Sequence, residues 1–277
     1  MPSKVAYFGP AGTFTEAAAL KYTPQAQLIP YPSILAVAEA VSSGQADEGV
    51  VPIENSLEGS VNDTLDLLVH GTALLICHEL VLPIEHCLLV RPGTGETDIR
   101  VIYSHPQALG QCRAYINRRF PNATVVPAMS TAAAAERLQH EAVGAAAIGT
   151  VRAAELYGMT VLDRGIQDNP SNVTRFVVLA HKDSPPTGRD KTSLCFSFSD
   201  DRPGLLYAAL GEFASRNINL LKVESRPTKQ SLGQYVFLLD LAGHRQDQKI
   251  QKALEALHEH ADVLKVFGSY PRYEEGR

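Results

Sequence analysis

Hydrophobic and polar positions follow two alternating patterns between residues 5 and 180. Short apolar runs typical of buried strands lie at 5–8, 48–53, 87–90, 100–103, 124–126, 145–148 and 174–180. Segments with helical spacing lie between them at 15–21, 33–43, 61–68, 106–119 and 131–140. Strands that alternate with helices are typical of βαβ units, so the pattern predicts an α/β region with mainly parallel sheets.

The order of these segments predicts two α/β lobes. Residues 81–156 contain a complete set of strands and helices, and the strand predicted at 174–180 would return to the first lobe. We therefore expect lobe one to comprise residues 1–80 and 157–181, and lobe two residues 81–156. A cleft between two lobes is a common place for a small-molecule site.

The pattern changes after a polar segment at 182–191 that contains two consecutive prolines and is typical of a linker. Strands are predicted at 192–199, 218–225, 234–241 and 263–270, and helices at 203–216 and 246–260, with a turn at 227–233. Asp201 and Pro203 are favourable residues for the start of the first helix. The order βαββαβ predicts a ferredoxin-like α+β domain over 192–271, followed by a tail at 272–277.

Composition restricts the class of protein. The 277 residues suffice for two domains, and apolar and charged fractions of 45% and 20% are those of a soluble globular protein. Apolar runs are too short to span a membrane, and no signal peptide is evident, so we expect a cytoplasmic protein. A net charge of -5 without a basic stripe argues against nucleic-acid binding.

Four cysteines occur without paired spacing, which indicates reduced, buried thiols. Cys77 and Cys87 each have a histidine beside them in the sequence, namely His78 and His86. Neighbouring residues on a strand point to opposite faces, so these pairs do not predict a metal site. We expect neither a metal nor another cofactor.

Polar groups follow several predicted strands. Gly12 and Thr13 belong to a loop that opens the first helix, where backbone N–H groups can bind an anion. A tight turn with Thr15 as helix cap explains the same loop structurally. Asn55 and Ser56 follow the strand at 48–53, either as ligand-binding groups or as a helix cap.

Ser104 follows the strand at 100–103, and Gln111 lies seven residues later, where it could face the same cleft. His105 is better explained as a helix cap or a surface residue than as a base. At the start of the last strand of the region, Thr174 and Arg175 precede Phe176. Adjacent strand residues face opposite ways, so Arg175 either binds a carboxylate at an irregular strand end or, as we favour, braces the cleft through a buried ion pair.

These candidates include no nucleophilic triad, paired carboxylates or nucleotide loop. Neutral hydrogen-bonding groups with one arginine can instead hold anions and assist a leaving group without a covalent intermediate.

Four motifs together resemble those of the prephenate dehydratase family: GPAGTFT at 9–15, PIENS at 52–56, SHPQA at 104–108 and TRF at 174–176. The C-terminal domain is similar to the ACT regulatory domain of that family. RPGLL at 202–206 and ESRP at 224–227 resemble its two phenylalanine-binding motifs, although the first usually reads Gly-Ala-Leu or Gly-Val-Leu where this chain has Gly204-Leu205-Leu206.

The resemblance implies a catalytic region at 1–181 built from two lobes, like periplasmic binding proteins, and an ACT domain. It implies conversion of prephenate to phenylpyruvate in phenylalanine biosynthesis, without a fused chorismate mutase. Thr174, Asn55, Ser104 and Gln111 would be catalytic. Gly12, Thr13, Ser56, Arg175 and Phe176 would bind substrate or support the site.

Regulation by L-phenylalanine is also implied, with ACT domains pairing in a homodimer or homotetramer. Its expected site comprises Pro203, Gly204, Leu205, Leu206, Asn217, Glu224, Ser225, Arg226 and Pro227. An arogenate dehydratase and a non-catalytic sensor of aromatic ligands remain alternatives. Thr174 argues against the sensor, which needs no hydroxyl donor there.

Overall fold

The computed structural model describes residues 2–200, 202–229 and 234–274. The strands of the first region are β1 (Lys4–Phe8), β2 (Gln27–Tyr31), β3 (Glu48–Asn55), β4 (Gly59–Ser60), β5 (Leu75–Pro83), β6 (Cys87–Val90), β7 (Val101–Ser104), β8 (Thr124–Pro127), β9 (Ala145–Gly149), β10 (Thr160–Arg164) and β11 (Val173–Ala180). Its α-helices are α1 (Phe14–Tyr22), α2 (Ile34–Ser42), α3 (Asn62–Asp66), α4 (Pro106–Gln111), α5 (Arg113–Arg119), α6 (Thr131–Arg137) and α7 (Val151–Tyr157). A π-helical turn, Leu67–Gly71, follows α3, and a 3-10 turn occurs at Glu96–Asp98.

These strands form two separate sheets, each the centre of one lobe. The first has the order β2-β1-β3-β11-β5, with β4 beside β3, and the second has the order β10-β6-β9-β7-β8. Strand β11 is antiparallel to both of its neighbours, and so is β6. The expectation of mainly parallel sheets was therefore wrong, because each sheet is mixed.

The chain crosses between the lobes twice, after β5 and after β10. Strand β5 ends at Pro83 and belongs to the first sheet, whereas β10 pairs with β6 in the second. The second lobe thus extends beyond the expected residue 156. The helix predicted at 106–119 is divided at Cys112, where the backbone (φ -113°, ψ 17°) leaves helical geometry.

The C-terminal domain comprises β12 (Asp190–Ser197), α8 (Leu205–Ala214), β13 (Leu220–Pro227), β14 (Tyr235–Ala242), α9 (Gln248–His260) and β15 (Val263–Pro271). Its sheet is antiparallel in the order β13-β14-β12-β15, which confirms the βαββαβ prediction. Helix α8 begins at Leu205, with Gly204 (φ 91°) as its cap, so Pro203 precedes the helix. The predicted capping residue Asp201 lies outside the described residues.

One face of this C-terminal sheet carries α8 and α9, and the opposite face packs on lobe one. Leu238 and Phe267 belong to the same hydrophobic cluster as Ile76 of β5. Gly268 allows the close approach of β15, since a Cβ there would lie 2.3 Å from the carbonyl oxygen of Ile76. The two domains therefore share a core.

Candidate active site

A cavity of about 570 Å³ lies between the two lobes. The residues that line it are Phe8, Gly9, Pro10, Thr13, Phe14, Thr15, Pro32, Pro52, Asn55, Val61, Ile84, His86, His105, Gln107, Ala108, Gln111, Met129, Ser130, Thr131, Ala133, Thr174 and Phe176. Residues of both lobes belong to this lining. This described lining contains no lysine or arginine, although it contains the caps of three helices: Thr13 for α1, His105 for α4 and Ser130 for α6.

Thr174 and Asn55 form the centre of the lobe-one wall. They lie opposite each other on the paired strands β11 and β3. Asn55 Nδ2 donates a hydrogen bond to Thr174 Oγ1 over 2.9 Å, and Thr174 is only 8% exposed. The Thr174 hydroxyl donates to no other group among the described residues, so its hydrogen is available for a bound molecule.

A chain of amides connects this pair to lobe two. Asn55 Nδ2 also lies 2.8 Å from Asn172 Oδ1, and Asn172 Nδ2 donates to Gln111 Oε1 over 2.9 Å. Gln111 is the last residue of α4, so the hydrogen bonds bridge the cleft. His86 Nε2 lies 2.9 Å from the same Gln111 oxygen.

Sequence reasoning did not assign Asn172 or His86 to the site. Asn172 stands two residues before Thr174, and its polarity beside an apolar strand was a usable signal. His86 was considered only as a metal ligand, and its position at the cleft depends on the first crossing between the lobes.

Four predicted catalytic or supporting residues lie away from the cavity lining, and two of them are the serines Ser104 and Ser56. Ser104 is fully buried, and its Oγ donates to the Ile148 carbonyl over 2.7 Å. Ser56 Oγ accepts from the Val173 backbone N–H over 3.0 Å. In this structure the Ser104 hydroxyl links β7 to β9, and the Ser56 hydroxyl links the end of β3 to the start of β11.

The loop after β1 contacts lobe two. Thr13, rather than the predicted Thr15, caps α1, since its Oγ1 accepts from the Glu16 N–H. Gly12 has a φ of 87°, and a Cβ there would lie 3.1 Å from that of Ala153. Thr150 Oγ1 donates to the Gly12 carbonyl over 2.7 Å. Thr13 therefore faces the cavity while Gly12 holds the loop against α7.

Arg175 faces away from the cavity and into the C-terminal domain. Its guanidinium donates to Asp240 Oδ2 over 2.7 Å and to the Tyr270 hydroxyl over 2.8 Å. Arg175 Nε also forms an ion pair with Glu79 Oε2 at 2.7 Å. Burial opposes the charge, but Tyr270, Asp240 and Glu79 raise the pKa of Arg175 well above its usual value. These buried ion pairs connect lobe one to the C-terminal domain, and bracing of the cleft by Arg175 stays a prediction.

The predicted effector residues do not all lie together in the structure. Leu205 and Leu206 line a cavity of about 120 Å³ with Tyr235 and Phe237, whereas Asn217 is exposed after α8. Pro203 and Pro227 are exposed as well.

The ESRP motif itself has two faces. Ser225 pairs with Phe237, so the two share one face of the sheet. The flanking side chains contact lobe one instead: Glu224 accepts from Ser60 Oγ over 2.6 Å, and Arg226 pairs with Asp66 at 3.2 Å. Glu224 and Arg226 thus serve as contacts between domains in this chain.

Two family models match this chain. The model of the family "Prephenate dehydratase" matches residues 5–184, and that of the "ACT domain" matches residues 196–259. The chain belongs to the prephenate dehydratase family. Its activity is that of a carbon–oxygen lyase, and the predicted ACT domain is confirmed.

Similar proteins cover almost the whole chain. A bifunctional chorismate mutase/prephenate dehydratase from Aquifex aeolicus (strain VF5) is 44% identical over 271 residues, which are 97% of this chain and 74% of that protein. A solved prephenate dehydratase from Arthrobacter aurescens, in complex with L-Phe, is 41% identical with a TM-score of 0.90, covering 97% of this chain and 90% of that one. A solved structure described as GqqA, a novel type of quorum quenching acylase, is 31% identical with a TM-score of 0.89, covering 99% of this chain and 100% of that one.

Proposed function

We propose that this chain converts prephenate to phenylpyruvate in the cavity between its lobes, with Thr174 as hydrogen-bond donor to the departing hydroxyl. Prephenate dianion and one proton give phenylpyruvate, carbon dioxide and water. The bond to the ring carboxylate breaks, its electrons enter the ring, and the carbon–oxygen bond of the hydroxyl breaks. The supporting observation is that Thr174 Oγ1 accepts from Asn55 Nδ2 and that its hydrogen has no acceptor within the described part of the chain.

Thr174 assists this departure by a hydrogen bond that strengthens as negative charge develops on oxygen. A threonine hydroxyl is too weak an acid to transfer its proton outright, so the proton in the water product comes from solvent. A preorganised donor of this kind contributes about 3 to 4 kcal/mol to the transition state. Gln111 lies on the opposite wall and positions the substrate between the lobes.

The lining suits a substrate that must lose a carboxylate. A lysine or arginine paired with the ring carboxylate would stabilise the ground state more than a transition state in which that charge is leaving. No such cation is present in the described lining. Helix α1 instead begins at the cavity, where the backbone N–H groups of Phe14 and Thr15, which precede the capped N–H of Glu16, can hold the carboxylate that is retained.

The decisive test is turnover of prephenate by the purified chain. Ultraviolet absorbance in alkali measures the phenylpyruvate formed from prephenate. Arogenate has an amino group in place of the keto group and would give phenylalanine, so its turnover is measured in parallel as phenylalanine formed. Product from prephenate with a higher kcat/KM than from arogenate supports the proposal. No product from prephenate would overturn it.

For regulation, L-phenylalanine would bind beside Leu205 and Leu206 and inhibit the reaction, with ACT domains paired in a homodimer or homotetramer. Lys222 of β13 lies 3.3 Å from Glu54, which is the neighbour of Asn55 on β3. Glu54 also lies 3.4 Å from Arg175, so effector binding can bias the strands that carry the site. Coupling of this kind is typically about 1 to 3 kcal/mol.

Leu206→Asp tests the effector site without touching the catalytic cavity. We expect it to abolish inhibition by L-phenylalanine and to leave the uninhibited rate unchanged. Tyr207→Ala is the control, since Tyr207 is 83% exposed and adjacent in sequence. Equal inhibition of Leu206→Asp and the parent chain would show that the effector site is elsewhere.

The thiols bear on the location of the protein within the cell. The four cysteines are free and buried, which fits a reducing compartment. No helix in the described part of the chain is long and apolar enough to cross a membrane. We propose a cytoplasmic location.

A further inference from the structure

We infer that His86 is a positioning residue for the reaction: its Nε2–H donates to Gln111 Oε1 and holds the Gln111 amide with its N–H group toward the substrate. The inference rests on the proposed function, because it concerns the same cavity. His86 contributes to the cavity lining and is itself only 2% exposed.

The direction of every hydrogen bond in the chain of amides is fixed from the backbone. The N–H groups of Leu57 and Glu58 donate to Asn55 Oδ1 over 3.0 and 3.1 Å. A backbone N–H can only donate, so the Asn55 oxygen faces these groups and its Nδ2 faces Thr174 and Asn172.

The same reasoning continues to Gln111. Asn172 accepts through its oxygen from Asn55, so its Nδ2 must donate to Gln111 Oε1. An amide oxygen only accepts, and therefore the nitrogen of His86 that lies 2.9 Å from Gln111 Oε1 must carry a hydrogen. The N–H groups of Leu57 and Glu58 thus fix the orientation of each amide in turn, and with it the tautomer of His86 that has its hydrogen on Nε2.

This arrangement turns the Gln111 nitrogen away from Asn172 and His86, so that it can donate to the substrate. Both lone pairs of Gln111 Oε1 are occupied, by Asn172 and His86. Among the described residues, the partner of Gln111 Nε2 is Glu58 Oε1 at the long distance of 3.5 Å. Without His86, the Gln111 side chain would lose one of the two bonds that set its direction.

The surroundings of His86 keep its ring in one place and uncharged. The ring packs edge-on against Phe14 at 5.5 Å between centroids, and the backbone N–H of His86 donates to Gln167 Oε1. Burial lowers the pKa of His86, partly offset by the bond to Gln111. Nδ1 is buried with no partner among the described residues, so a second ring proton would have no acceptor there.

The test compares three replacements in the full-length chain. His86→Gln can place an amide N–H near the original Nε2, whereas the shorter His86→Asn places it near Nδ1, and His86→Leu removes the donor. We expect His86→Leu and His86→Asn to lower kcat/KM for prephenate about 10- to 100-fold, since misplacing a catalytic group by about 1 Å can have that effect. We expect His86→Gln to recover activity to within about fivefold of the parent.

A second comparison separates positioning from general structural damage. In a Gln111→Ala background, adding His86→Leu should change kcat/KM less than twofold, because the residue through which His86 acts is gone. Equal activity of parent and His86→Leu, or a full additional loss in the Gln111→Ala background, would overturn the inference. If His86→Leu does not fold, equal kcat/KM of His86→Gln and His86→Asn would overturn it. Failure of the parent chain itself to form phenylpyruvate would instead refute the proposed function.

Discussion

Thr174 and Arg175 are neighbours on β11, yet Thr174 lines the cavity and Arg175 donates to Asp240 of the ACT domain over 2.7 Å. Their partners on β3 repeat the division, since Asn55 pairs with Thr174 and Glu54 with Arg175. Alternation along two paired strands thus puts one pair of side chains in the site and the other at the domain interface. A shift of the ACT domain would therefore act on the strands that hold the Thr174 hydroxyl.

Thr174→Val should abolish most of the activity while preserving the fold. Valine has nearly the same shape, but it cannot donate to the departing oxygen, so we expect kcat to fall about 100- to 1000-fold. Thr174→Ser, which keeps the hydroxyl, should retain much more activity. Rates of phenylpyruvate formation and circular dichroism measure both effects. An unchanged kcat for Thr174→Val would remove Thr174 from the chemistry.

The division between Thr174 and Arg175 was predictable because strand alternation depends only on sequence. The partners of Arg175 were not predictable, because all three lie far from it in the chain. Asp240 and Tyr270 meet it only through the docking of the ACT sheet, and Glu79 only through the pairing of β5 with β11. Ser104 illustrates the same limit, because its bond to Ile148 depends on the pairing of β7 with β9. Motifs identified the elements of the site, whereas contacts between strands decided which side chains reach the cavity.

Arg175→Met should destabilise the chain more than an exposed arginine replacement does. It leaves the carboxylates of Glu79 and Asp240 buried with fewer partners, and breaking a buried pair typically lowers the free energy of unfolding by about 3 to 5 kcal/mol. Arg189→Met is the control, because the Arg189 side chain is 69% exposed in its pair with Glu274 and such pairs contribute about 0 to 1 kcal/mol. Urea denaturation midpoints compare the two. Equal midpoints would contradict the bracing role.

Asp240 should make stability depend on acid pH. Burial alone would raise the pKa of Asp240, but the charges of Arg175 and Lys191 outweigh it and hold the pKa below its usual value. A group with a lowered folded pKa stabilises the protein above its unfolded pKa of about 3.9 and loses that contribution as pH falls through the folded value.

The check for Asp240 is a comparison with Asp240→Asn, which cannot ionise. Melting temperatures of both proteins are measured from pH 7 to pH 3. The parent chain should be the more stable at neutral pH, and its advantage should shrink below about pH 4. If the parent chain keeps the same advantage in melting temperature down to pH 3, the pKa of Asp240 is not lowered by folding and its charge does not stabilise the folded state.

Gly12→Ala should damage both stability and catalysis, because Gly12 joins the loop of Thr13 to lobe two. Its φ of 87° costs an alanine about 1 to 2 kcal/mol. The new Cβ would also lie only 3.1 Å from that of Ala153, and overpacking typically costs a further amount of about 1 to 3 kcal/mol. Gly44→Ala isolates the backbone effect, since Gly44 has a φ of 75° and nothing within 4 Å of a Cβ. We expect Gly12→Ala to have the lower melting temperature and to reduce kcat/KM, and Gly44→Ala to leave kcat/KM unchanged. If the two variants behave alike in both measurements, the contact with Ala153 does not hold the loop in place.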